Sequence, residues 1–151
     1  MSTTTTTENL FVEVRRTFPV SRERLFDAWT DPEEARQWFG GEGCNIRELK
    51  MDVRPGGKYT LVVDSCEHGV MEVAGEYREV ARPSKLVYTW RWMDDADWEG
   101  VESVVTVEFI EVTGGAEVRL THRGFPTEES RGNHEGGWTR SLEKLTGRVT
   151  R

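Results

Sequence analysis

Apolar and polar residues alternate along most of the chain, and the phase of that alternation predicts its elements. Leu10 to Phe18, LFVEVRRTF, is rich in β-branched and aromatic residues and predicts a strand that Pro19 ends. Ser21 is the expected N-cap of a short helix whose Leu25, Phe26 and Trp29 share one face. Asp31 is the expected cap of a second helix, with Pro32 at its first position and Glu34 spaced for a capping box. That helix is expected to end at Trp38-Phe39, before Gly40-Gly41.

Six strands are predicted next, over residues 46–53, 58–64, 70–80, 85–92, 102–112 and 116–122. Turn residues punctuate them, among them Arg54-Pro55-Gly56-Gly57, Pro83 and Gly114-Gly115. The gaps are too short for crossover helices, which excludes a parallel sheet. Trp138, Leu142, Leu145 and Val149 are spaced 4, 3 and 4 residues apart and predict an amphipathic final helix. Its start is set near residue 133, because Gly132, Gly136 and Gly137 weaken the first turns. The expected whole is one α+β domain over residues 10–151, preceded by a disordered Thr-rich tail over residues 1–9.

Strand parity divides the side chains into two faces. Tyr59, Leu61 and Val63 share one face, as do Met71, Val73, Gly75 and Tyr77. The same face takes Leu86, Tyr88, Trp90 and Trp92, then Val105, Val107 and Phe109, then Val118, Leu120 and His122. The opposite parity collects Glu72, Glu76, Arg78, Lys85, Arg91, Glu108, Glu117 and Arg119, a solvated face. Gly75 interrupts a strand, which fits a kink or close approach in a curved sheet, or room for a ligand.

The segments DPEEARQWFG, RPGGKYTLVV, VAGEYREVARPSKLVYTWRW, SVVTVEFIEV and THRGFPTEES…HEGGWTRSLEKL together resemble the activator of heat-shock protein 90 ATPase-like family. That family sits within the START-like (SRPBCC) superfamily of polyketide cyclases and birch-pollen-allergen-like proteins. The resemblance spans about residues 10–146. It implies a helix-grip fold: a seven-stranded curved antiparallel sheet around a C-terminal helix, with two short helices after the first strand and a cavity between sheet and helix. It implies no single activity, since lipid carriers, cyclases and co-chaperones share that fold.

Composition narrows the function classes. The 151 residues carry a net charge of −7 with Lys and Arg scattered, which argues against a nucleic-acid partner. No run of about 18 apolar residues appears, and the N-terminus lacks a signal-peptide pattern, so neither membrane nor export is expected. Cys44 and Cys66 form no CxxC pair, consistent with reduced thiols and a cytoplasmic location. Neither a nucleophile elbow nor a phosphate-binding glycine loop is present, and no metal or cofactor is expected.

The first functional reading is therefore a binder of a small lipophilic molecule. Its expected lining is Trp38, Phe39, Tyr59, Leu61, Val73, Tyr77, Tyr88, Trp90, Val107, His122, His134, Trp138 and Leu142. A second is a cyclase- or hydrolase-type enzyme, with His122 as acid–base and Tyr77 as a further catalytic candidate. His68, beside Cys66, is too isolated to define a metal site. A third, ranked last, is a chaperone-docking domain using an exposed sheet edge or the acidic loop Met93–Glu102, with Trp98 as the exposed anchor of that loop. A monomer and a homodimer both fit.

Overall fold

The structure, a computed structural model, describes residues 10–39, 44–65 and 69–150, with the side chains of Cys44 and Ser65 excepted. The Thr-rich segment 1–9, Gly40-Gly41, Cys66 and His68 lie outside the described residues, as does the thiol of Cys44. In chain order the elements are β1 (Phe11–Phe18), α1 (Arg22–Thr30), α2 (Pro32–Ala35), β2 (Cys44–Met51), β3 (Lys58–Ser65) and β4 (Gly69–Ala81). Then come β5 (Lys85–Trp92), β6 (Ser103–Val112), β7 (Gly115–Arg123) and α3 (Glu128–Val149), with a single 3-10 turn at Ala96–Trp98 between β5 and β6.

The strands form one antiparallel sheet in the order β1-β7-β6-β5-β4-β3-β2. This is the helix-grip arrangement: β2 to β7 meander in sequence, while β1, linked to β2 through α1 and α2, pairs with β7 at the opposite edge. The inward parity predicted for β6 and β7 holds, with Val105, Val107, Phe109, Val118, Leu120 and His122 all buried. On α3, Trp138, Leu142, Leu145 and Val149 form the buried stripe that the spacing predicts.

Several boundaries differ from the sequence expectation. Helix α3 begins at Glu128, not near 133, because Thr127 caps it by accepting a hydrogen bond from the Ser130 amide at 3.0 Å. Glu128 and Glu129 then sit in the positive first turn, and Arg131 bridges Glu128 and Glu135. These local bonds offset the weak helix propensity of the glycines. Strand β2 runs two residues earlier than expected, since Asp52 and Arg54 already belong to the turn that Gly57 closes.

The second helix is one turn long and ends at Ala35, with Trp38 and Phe39 in the hydrogen-bonded turn that follows. Asp31 caps it, but Glu34 does not reach back to complete a capping box. Its carboxylate instead takes Arg24 at 3.0 Å and Arg148 at 3.0 Å, stapling α2 to α1 and α3. The hydrogen bond from Arg148, helped by Arg24, holds this carboxyl below the usual range.

Gly75 marks a break in the β4–β5 ladder. Backbone pairing holds at Ala74/Arg91 and resumes at Tyr77/Tyr88, and between them the Glu76 amide donates to the Thr89 hydroxyl at 2.9 Å. The Thr89 carbonyl accepts the Tyr59 hydroxyl. A Cβ at position 75 would lie 2.0 Å from that carbonyl oxygen and 2.6 Å from the Tyr59 ring, so only glycine fits. The close-approach reading of this glycine is the one the geometry supports.

Candidate binding cavity

Three layers of the grip converge on one small cavity. Helix α1 supplies Trp29, the turn after α2 supplies Phe39, and strands β2 to β5 supply Leu49, Met51, Tyr59, Leu61, Tyr77, Tyr88 and Trp90. The enclosed volume is about 20 Å³, room for roughly one water molecule. Leu49 and Met51, on the edge strand β2, are only half-buried, so this wall is the thinnest.

The three tyrosines pack as a triangle, with ring centroids 5.6, 5.6 and 5.8 Å apart in edge-on or tilted contact. Tyr59 gives its proton to the Thr89 carbonyl, and Tyr88 accepts the Trp29 indole N–H at 3.2 Å. Burial pushes the phenol pKa of all three upward, so they stay neutral donors. Trp90 is 7% exposed, and its indole N–H is buried without an acceptor among the described residues.

Beside the cavity lies a second, filled cluster. His122 is fully buried, at 0% exposure, between Trp90, Phe125, His134 and Trp138. The Ser103 hydroxyl donates to the Trp90 carbonyl at 2.6 Å, so it accepts from His122 Nε2 at 2.7 Å. His122 Nδ1 then accepts the Trp138 indole N–H at 3.1 Å. His134 takes the opposite tautomer: Nδ1 donates to the Ser130 carbonyl at 2.7 Å, and Nε2 accepts the Trp92 N–H at 2.8 Å. Burial lowers the pKa of both rings, and their mutual proximity lowers that of His122 further.

The sequence-predicted lining therefore divides. Phe39, Tyr59, Leu61, Tyr77, Tyr88 and Trp90 meet at the cavity. His122, His134 and Trp138 belong to the adjoining cluster, joined to the cavity wall through Trp90. Trp38 is buried against Trp29 with its indole N–H on the Ala28 carbonyl at 3.1 Å, while Val73, Val107 and Leu142 fill the core. Trp29, Leu49 and Met51 line the cavity without having been singled out for it. The two β2 residues share one parity, the signal that would have found them.

Trp98 does not stand exposed in the acidic loop. It is 1% exposed, packed on Phe125 and His134, while Asp94, Asp95, Asp97 and Glu99 remain in solvent. The 3-10 turn, capped by Asp95, rotates the indole inward, because an aromatic this large gains more from burial than a loop tip can offer. Among the described residues no group of His, Cys, Asp and Glu could hold a metal ion. Nor is any helix there long and apolar enough to cross a membrane.

A family profile described as activator of Hsp90 ATPase homolog 1-like protein matches residues 19–150, nearly the whole grip. The chain belongs to that family. Solved structures agree with the assignment. The AHSA1 protein from Silicibacter pomeroyi is 32% identical, with a TM-score of 0.80 over 93% of this chain and 97% of that one. Protein CV1439 from Chromobacterium violaceum is 26% identical, with a TM-score of 0.83 over 94% and 98% of the respective chains. CalU16 from Micromonospora echinospora, at 21% identity and a TM-score of 0.71, covers 92% of this chain and 75% of its own, and shares the fold. No functionally curated protein matches this member of the activator-like family.

Proposed function

We propose that this protein binds a small lipophilic molecule in the cavity between α1 and strands β2 to β5. The supporting observation is the lining itself: nine aromatic or aliphatic side chains drawn from six segments, none of them charged. That lining includes three phenols and two indoles. At about 20 Å³ the closed cavity is far smaller than any organic ligand. Binding therefore goes with outward movement of the half-buried Leu49 and Met51 side chains on the edge strand.

The acid–base alternative finds less support. Both nitrogens of His122 are engaged, leaving no lone pair for proton abstraction, and burial keeps the Tyr77 proton in place. A chaperone-docking loop loses its proposed anchor with Trp98 turned inward.

Titration with the neutral fluorophore N-phenyl-1-naphthylamine tests the reading. Saturable fluorescence enhancement is expected, weakened at least about fivefold by Leu49→Trp, which fills the thin wall. Absence of saturation up to the probe's solubility, or equal binding by both proteins, would remove the proposed site.

A further inference from the structure

The polar atoms around the cavity are unevenly matched. Trp90, more than nine-tenths buried, has an indole N–H with no acceptor among the described residues. An unmade hydrogen bond of this kind costs about 1–3 kcal/mol, so one kept in a buried wall calls for a physical reason. Tyr59 has spent its proton on the Thr89 carbonyl. Tyr88 already receives the Trp29 N–H, which leaves its own proton to donate elsewhere. The unmet need is for an acceptor. No lining residue carries a charge, so nothing there compensates an anion.

Resting on the ligand-binding reading above, we propose that the cavity selects neutral, planar molecules bearing a carbonyl-type oxygen, which accepts the hydrogen bond of the Trp90 indole. The aromatic walls of Trp29, Phe39, the three tyrosines and Trp90 suit a flat ring system, because edge-on and stacked contacts hold it without polar partners. The carbonyl fixes its orientation against β5. A carboxylate of the same shape meets the same N–H but brings a charge into an apolar space, and a hydrocarbon of the same shape leaves the N–H orphaned.

Three probes of one shape separate these cases: 2-acetylnaphthalene, 2-isopropenylnaphthalene and 2-naphthoate. With the wild-type protein, the ketone is expected to bind about five- to tenfold tighter than the hydrocarbon, the effect of one net hydrogen bond, and tighter than the carboxylate. The through-bond-assigned indole resonance of Trp90 is expected to move downfield with the ketone and not with the hydrocarbon, a readout that needs no variant. In Trp90→Phe the ketone-to-hydrocarbon ratio is expected to fall to about one. Equal affinity of ketone and hydrocarbon for the wild type, or an unmoved Trp90 resonance, would overturn the acceptor proposal and leave apolar binding standing. Failure of all three probes to bind would overturn both readings together.

Discussion

The indole N–H of Trp138 on α3 donates to Nδ1 of His122 on β7 at 3.1 Å, joining the gripped helix to the sheet by a buried hydrogen bond. On the other side of the ring, Nε2 donates to Ser103, which in turn donates to the Trp90 carbonyl. The chain of bonds runs from α3 through β7 and β6 to β5, and it requires a neutral imidazole. A second proton on Nδ1 would face the Trp138 donor.

That requirement predicts acid sensitivity. Burial lowers the pKa of His122 and His134 in the folded state, so below about pH 6.5 the unfolded chain binds more protons than the native one. Stability from this source is therefore complete above the unfolded value and declines as pH falls from there toward the folded-state pKa. Urea unfolding between pH 7.5 and 5.5 is expected to show this decline, and a flat profile would refute it. Replacing His134 by Gln should make the decline shallower.

Glycines should respond to alanine with opposite signs. Gly75→Ala places a methyl 2.0 Å from the Thr89 carbonyl and is expected to cost more than about 2 kcal/mol, since backbone cannot give way as a side-chain tip does. Gly132→Ala meets nothing within 4 Å inside α3 and is expected to stabilise by about 0.5–1 kcal/mol. Denaturant midpoints measured side by side decide the pair.

The Glu34 staple should contribute modestly. Replacing it by Gln removes the charge that Arg24 and Arg148 share, and a loss of about 1–2 kcal/mol is expected at neutral pH. Because this carboxyl titrates lower when folded, its contribution is present above the unfolded carboxylate pKa and fades as pH falls through the folded one. The difference between wild type and Glu34→Gln should shrink at strongly acid pH.

Trp98→Ala is expected to destabilise by about 3–5 kcal/mol, as truncation of a buried aromatic does. A change below 1 kcal/mol would return Trp98 to the surface.

Much of this was legible along the chain. Period-2 parity put Val105, Val107, Phe109, Val118 and Leu120 inside, because each lies on a regular ladder. The 4-3-4 spacing gave the buried stripe of α3 for the same reason. What stayed hidden depended on contacts between distant segments. Parity showed His122 facing inward, but not that Ser103 and Trp138 would occupy both its nitrogens. Glu34 carries the spacing of a capping box, yet two arginines, one 114 residues away, take its carboxylate. Trp98 reads as a solvent-facing tip among acids until the 3-10 turn folds it against Phe125.

The most direct test of the cavity is methyl-resolved NMR during titration with N-phenyl-1-naphthylamine. Shifts concentrated at Leu49, Met51 and Leu61, with Leu142 and Leu145 on the buried face of α3 nearly unmoved, are the expected result. Shifts confined to the α3 methyls, or none at saturating probe, would contradict the account.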